Sequence, residues 1–576
     1  MRKETMAIFG LALAIVLCSC SVFSGMTVAS GEKVVKFGGS TLGGDFGYPS
    51  PYAFYPRGMG YIYLSFCFDT LTWKDETGVI PWLADSWEMS DDGKAWTFHL
   101  HRGVKWHDGE AFTADDVKFT FDYMKEHPRP KWFKTLEYID RVDALDEYTV
   151  VIHLKKPVAD FLVTIAGDVP IIPEHIWSGV EDPKKFRGKE AVIGTGPFKL
   201  VEYNKEEGYY LWEANEGYFK GKPLVDKLIS TKVSDTALAL KTGDLDEASL
   251  WRKDTDVVTE FEANPKFKII EGPGYWVLQL VFNCEKYPTN ITEFRHAIAY
   301  AINRSEIIQK VVHGGAIPAN PGILQPGTEW SNPDLPGYEY NVTRANEILD
   351  VLNFTDSNGD GIREYPNPTG EELEFELITI DKFSREAELI KSQLKEVGIR
   401  VNVKSMDKST VDTILKGGNF LLAINGHGGC SYPDILEIPD WPASTYHNDS
   451  YDSIFDKQAT TMDFEERKQL VYQLQAMITD DLPVYALYHP RRWAIYNPGK
   501  LDTWFYTKNG IAHGIPYELN KLVFIGAEAP ATPMATATAT PTSKPVPTPK
   551  PPGFGATLAI AGLLTVAYLF LRKRGR

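Results

Sequence analysis

The stretch LEFELITIDKFSREAELIKSQLKEVGIRVNVKSM, residues 373–406, decides the fold class. LEFELITI (373–380) has the aliphatic density and length of a strand. SREAELIKSQLKEV reads as a helix that starts at Ser384 and stops at Gly398, where a glycine can take the left-handed backbone that ends helices. IRVNVKSM (399–406) is a strand again. A strand, a helix and a strand joined so tightly form a crossover, and crossovers imply parallel pairing.

Outward from this unit, strand-like and helix-like segments alternate from about residue 32 to 526 with no fixed-period repeat, an α/β or α+β pattern. Thr113 is expected to cap ADDVKFTFDYMKEH, with Asp115 and Asp116 in the first turn, where the helix dipole favours acids, and Pro128 after the end. Val117, Phe121 and Met124 then share one buried face. TEFRHAIAYAIN and SEIIQKVVHGG read as consecutive helices capped by Thr292 and Ser305, the second ended by Gly314.

The chain has 576 residues, 43% hydrophobic and 24% charged, enough for two or more cores. Its ends stand apart from the fold. Arg2 and Lys3 precede AIFGLALAIVL and the small residues Val28, Ala29 and Ser30, the layout of a secretory signal over residues 1–30. Leu17, Cys18, Ser19 and Cys20 resemble a lipoprotein box with an atypical second position. At the other end, residues 527–552 form a Thr/Pro/Ala-rich stalk with almost nothing large to bury. GFGATLAIAGLLTVAYLFL and RKRGR then read as a membrane helix with a cytoplasmic basic tail over 553–576. The run Pro552, Gly553, Phe554 before that helix resembles the archaeal PGF sorting signal, in which a membrane enzyme exchanges the helix for a lipid anchor. Either way the body is expected on the outer face of the cytoplasmic membrane, tethered by its C-terminus.

The formal charge is −17, and the six basic residues from Lys544 onward belong to the tail, so the body is more acidic still. Such a surface repels nucleic acid. Cys67, Cys284 and Cys430 are the body's cysteines, so at most one disulfide can form, and no CxxC pair offers a zinc site. Sequons stand at Asn290, Asn341, Asn353 and Asn448, as suits an exposed glycoprotein or a surface-layer adhesin alike. A cell-surface hydrolase is disfavoured by the lack of a GxSxG elbow and of HExxH.

WLADSWEMSDDGKAWTFHLHRGVKWHDGEAFTADDVKFTFDYM (82–124), IIPEHIW, GTGPFKLVEY, GKPLVDKL, KTGDLDEASL and FRHAIAYAINRSEIIQKVVHGGAIPANPGI follow one another in an order and spacing that resemble the family 5 extracellular solute-binding proteins of oligopeptide, dipeptide and nickel-chelate ABC importers. The resemblance spans nearly the whole body. It implies a two-lobed α/β fold of the large periplasmic-binding-protein class. Lobe one would cover 31–272 with an inserted subdomain at about 60–185, lobe two 273–489, and a return to lobe one 490–526, the chain crossing near 270–276 and 486–492. It implies a monomer that is no enzyme: the lobes close on a small-molecule ligand, peptide-like, chelate or oligosaccharide, and the closed form docks on the ABC permease.

The same resemblance directs attention to residues bordering the cleft. Tyr52, Tyr55 and Arg57, in GYPSPYAFYPRGMGYIYLSF (47–66), offer rings and a bidentate fork for a carboxylate. Tyr275 and Trp276 are expected at the cleft floor, with Tyr275, Gln279 and Asn283 on one strand face. In INGHGGCSYPDIL (424–436), the glycines and His427 read as the ligand loop of lobe two. Peptide-binding members carry there an aspartate that pairs with the ligand's α-amine. Here Gly429 occupies its place, beside Gly428, so the expected ligand lacks a free peptide amine unless Asp434 or Asp440 substitutes.

Two metal readings remain. His99, His101 and His107 lie close in sequence, but strand alternation brings only two together. Asp356, Asn358, Asp360 and Glu364 fit positions 1, 3, 5 and 9 of a calcium loop with Gly361 at its turn, although Asn367 stands where the bidentate acid belongs. An ordinary Asn/Asp/Gly turn is the competing reading, and no other cofactor is expected.

Overall fold

The computed structural model describes residues 31–526 apart from 41–42, 56–58, 76, 130–135, 273, 275, 367–369, 431, 439–440, 442–443 and 508–517. The leader, stalk and C-terminal tail read from the sequence lie outside the described residues. Among those described, no helix is long and apolar enough to cross a membrane.

The 373–406 unit forms as its sequence dictates. Strand Glu374–Ile380 runs parallel to Arg400–Met406 in continuous register, and helix Ser384–Lys395 packs against them. Gly398 takes φ +79° between helix and second strand, where any other residue would be strained. This unit is one edge of a six-stranded sheet in the order Ala316–Pro318, Val484–Pro490, Trp276–Phe282, Leu422–Gly428, Glu374–Ile380, Arg400–Met406.

A second, seven-stranded sheet runs Lys268–Gly272, Arg492–Tyr496, Glu247–Trp251, Val34–Gly39, Lys227–Ser230, Tyr209–Ala214, Phe198–Asn204. Each sheet sits in its own apolar core, so the fold is two α/β lobes. The chain passes from one sheet to the other between Gly272 and Trp276 and returns at Arg491. A four-stranded antiparallel sheet, Ala84–Met89, Ala95–Leu100, Thr149–Leu154 and Ile139–Asp146 in the order 1-2-4-3 along the chain, is inserted in lobe one.

Helix Ala114–Glu126 covers that sheet. Val117, Phe121 and Met124 are buried on one face, and the Asp116 carboxylate accepts the Thr113 N–H across the first turn. Two caps differ from expectation. The helices are Thr292–Ala301 and Arg304–Val312, and the second is capped by Asn303, whose side chain accepts the Glu306 N–H; Ser305 lies inside it. Asparagine satisfies that orphan donor as well as serine does. Asn341 and Asn448, both in sequons, likewise cap helices with their side-chain oxygens. Cys67, Cys284 and Cys430 are all free thiols.

Candidate ligand site between the lobes

Parallel strands of one sheet end on the same side. Glu374–Ile380 is parallel to Leu422–Gly428, and the beginning of Trp276–Phe282 is antiparallel to the end of the latter. Lys382, the loop after Gly428, and Trp276 therefore share one end of lobe two, the end at which the chain crosses. In lobe one Trp251 pairs with Arg492, the first strand residue after the return, so it also lies at the crossing end.

The residues meet there. The indoles of Trp251 and Trp276, one from each lobe, stand edge to face at 6.0 Å and 87°. Lys382 Nζ lies 4.9 Å from the Trp276 ring, 5.5 Å from Trp251 and 4.9 Å from Phe383. Partial burial, then the charges of Arg252 and Lys408, push this ammonium below the ordinary lysine range. Lys382 stays exposed to solvent, so an anion can reach its ammonium and gain from a charge already set against the rings.

Gly426 explains why the strand is glycine-rich. A Cβ on it would sit 2.0 Å from Cζ3 of Trp276, so the indole lies flat on bare backbone. The next residue, His427, stacks on Trp441 with ring centroids 4.4 Å apart and 13° between planes, and its Nδ1–H donates to the Gly428 carbonyl at 2.6 Å. Gly429 has φ +89°, and a side chain there would meet nothing within 4 Å. The glycine is thus required by its backbone conformation and opens space at the position expected for an acid.

Behind the rings, Arg252 of lobe one crosses into lobe two. Its Nη1 donates to Glu386 Oε1 at 2.5 Å and to Tyr488 Oη, and Nη2 donates to the Lys382 carbonyl at 3.3 Å. The Tyr488 hydroxyl donates to the same Glu386 oxygen at 2.8 Å. Glu386 is fully buried and Arg252 nearly so.

Several expected site residues stand elsewhere. Tyr52 is buried, its ring packed on Tyr123 and Trp177 and its hydroxyl donating to the His127 carbonyl at 2.9 Å, so it belongs to the core of the inserted subdomain. Tyr55 is half exposed. Arg57, Tyr275 and Asp440 fall outside the described residues. Gln279 is 1% exposed in the middle of lobe two's sheet between Asn425 and Ala486, because strand alternation turns it into the sheet's interior face. Asn283 donates to the Gly418 and Phe420 carbonyls. Asp434 is exposed on the loop beyond Gly429.

The residues of both metal readings make ordinary hydrogen bonds. His101 pairs with Asp85 at 2.7 Å, while half-buried His107 lies against the Gly196 carbonyl. Asp356 accepts the N–H groups of Gly359, Asp360 and Gly361, Asp360 accepts that of Ile362, and Glu364 accepts that of Ser357. Among the described residues no three His, Cys, Asp or Glu side chains converge as for a metal.

Trp251, Lys382, Phe383 and Trp441 went unnoticed in the sequence. For the first three the available signal was topological: Trp251 ends a strand directly after the KTGDLDEASL segment, and Lys382 and Phe383 follow one, on the crossing side; Trp441 lies on the loop beyond Leu436.

Residues 78–450 match the model of the bacterial extracellular solute-binding proteins, family 5 (middle region), and residues 552–573 match the PGF-CTERM motif. Heme-binding protein A of Haemophilus influenzae is 27% identical over 74% of this chain and 81% of its own length. The dipeptide-binding protein of Escherichia coli is 27% identical over 72% and 81%. The fold is that of NikA from Brucella suis in complex with Fe(III)-EDTA, with a TM-score of 0.72 at 23% identity, covering 84% of this chain and 99% of that one. Two α/β lobes joined by two crossings, with this match over most of the body, place the chain among the family 5 extracellular solute-binding proteins of ABC importers, tethered at the cell surface through its C-terminal sorting motif.

Proposed function

We propose that the chain captures an anionic solute, a carboxylate-bearing molecule or metal chelate, at Trp251, Trp276 and Lys382, and passes it unaltered to its permease. The carrying observation is Gly429, which leaves open space where a peptide amine would need a carboxylate. A buried ammonium without a partner costs several kcal/mol. Lys382, held among three rings, supplies charge of the opposite kind. Two of the relatives bear anionic iron chelates in their names, haem and Fe(III)-EDTA, which supports the same ligand class. Binding and lobe closure account for the site, with no catalytic step.

Calorimetry of the full-length protein tests this with free di- and tripeptides, their N-acetylated forms, nickel–histidine and Fe(III)-EDTA. Chelates or N-acetylated peptides should bind and free peptides should not. Submicromolar binding of free peptides that is lost on N-acetylation would show that another acid, such as Asp434, holds the amine, and the reading would fail.

A further inference from the structure

The lobes touch a second time through residues that belong to neither crossing. Asp160 precedes the short helix Phe161–Thr164 of the inserted subdomain, and Arg467 lies in helix Phe464–Asp481 of lobe two. The Arg467 Nη2 donates to Asp160 Oδ2 at 2.6 Å and Nη1 to Oδ1, a two-pronged pair. The Tyr432 hydroxyl, three residues beyond Gly429, donates to Asp160 Oδ1 at 2.9 Å. Arg467 Nε donates to Gln458 Oε1 at 3.1 Å, and its guanidinium lies 4.8 Å from the Trp330 ring. The two charged side chains are 10% and 5% exposed.

The surroundings are dry. Val163 of the inserted subdomain is packed in lobe two's core, Met462 of lobe two packs against lobe one's, and Ala159 N–H donates to the Ala459 carbonyl at 2.9 Å. Lys74 of lobe one is buried with its ammonium 5.2 Å from the Tyr432 ring. Asp434 and Glu329 add their charges to the same cluster.

We propose that Asp160, Arg467 and Tyr432 form a latch that holds the lobes closed and couples the ligand loop to that closure. When the lobes rotate apart about the crossings, Asp160 and Arg467 are carried away from each other and each regains water. Removing one partner therefore harms the closed form alone, which would keep an unpaired buried charge, and leaves the open form untouched. Tyr432 ties this equilibrium to the ligand loop, because the same short segment that carries His427 and Gly429 ends on the latch carboxylate. The latch is independent of ligand chemistry, so the proposed ligand class and the latch stand or fall separately.

The test is the lobe distance of full-length, ligand-free protein by single-molecule energy transfer. Dyes go on L238C in lobe one and V351C in lobe two, both exposed, with C284S to remove the half-buried thiol. The parent should be mainly closed, and Asp160→Asn and Arg467→Gln should each lower the closed-to-open ratio at least about tenfold. Tyr432→Phe should shift it less, and the double variant D160N/R467Q less than the sum of the singles. Circular dichroism confirms folding of each. A parent that is already open without ligand, or single variants that melt lower with an unchanged distance distribution, would overturn the proposal.

Discussion

Two triads of the same composition cross between the lobes. At the crossings, Glu386 is held by Arg252 and by the Tyr488 hydroxyl. Away from them, Asp160 is held by Arg467 and by the Tyr432 hydroxyl. In both, an arginine and a phenol hold one buried carboxylate, although both groups reach the same Glu386 oxygen and Oε2 has no hydrogen-bond partner among the described residues. The difference is position. Arg252 donates its backbone N–H to the carbonyl of Arg491, the returning crossing residue, so rotation about the crossings cannot pull that triad apart. Among the described residues the latch triad has no hydrogen bond to a crossing residue, and the Ala159–Ala459 backbone bond beside it joins the lobes away from the crossings. One set of chemical groups therefore acts as a pivot in one place and as a releasable contact in the other, decided by where the chain crosses.

This contrast predicts unequal costs. Glu386→Ala leaves Arg252 buried in every conformation and should lower unfolding stability by about 3–5 kcal/mol in urea. Asp160→Ala can escape by opening, so its global stability should fall by much less than that. Equal losses from the two variants would erase the distinction between pivot and latch.

Acid should sharpen it from the pivot side. His489 lies on the strand that leads into the second crossing, its Nδ1–H donating to the Trp276 carbonyl at 3.0 Å, and burial pushes its pKa down to about 4. His107, in the inserted subdomain, is likewise pushed down to about 4 by burial. An unfolded histidine binds its proton near pH 6.5, so the unfolded state holds more protons between pH 6.5 and 4. Stability is full above pH 6.5 and is lost as pH falls toward 4, by up to about 3 kcal/mol for each histidine. Urea midpoints of His489→Gln and His107→Gln at pH 7 and 4.5 check this: each variant should flatten part of the acid slope.

Much of the fold was legible because it is local. The 373–406 crossover, the helix after Thr113 and the glycine at 398 each follow from residues a few positions apart. The triads were not, because Asp160 and Arg467 are 307 positions apart, and neither has neighbours whose pattern announces a partner. Tyr52 misled for a related reason. Its sequence context, rich in proline and tyrosine, suits an exposed binding loop as well as a core edge, and only Tyr123 and Trp177, brought up by the inserted subdomain, decide between them. That Gly429 carries no acid is plain from its identity, whereas the part played by Gly426 needed the indole that covers it.

That indole gives a smaller effect, confined to the ligand side of the pivot. Gly426→Ala places a methyl 2.0 Å from the Trp276 ring and must displace it. The local repacking should cost about 1–3 kcal/mol. Tryptophan emission should shift and ligand affinity should fall, while the closed-to-open ratio of the ligand-free protein should hold. A ratio that moves with the indole would mean that Trp251 and Trp276 also help hold the lobes closed.

The smallest expected change comes from Lys382, which touches both functions. Its backbone carbonyl accepts from Arg252 and so belongs to the pivot, while its ammonium sits among Trp251, Trp276 and Phe383 on the ligand side. Replacing the side chain leaves the carbonyl in place, which separates the two. Lys382→Met keeps an unbranched apolar stem for the rings and removes only the charge, at a cost of about 0.5–1 kcal/mol in lost cation–ring attraction. Stability should therefore change little. Affinity for an anionic chelate should fall about tenfold at low ionic strength, and the gap should narrow as salt screens the partly exposed charge. Titrations of the parent and the variant at two salt concentrations measure both. Equal affinities at low salt would remove Lys382 from the ligand site and leave it as part of the pivot alone.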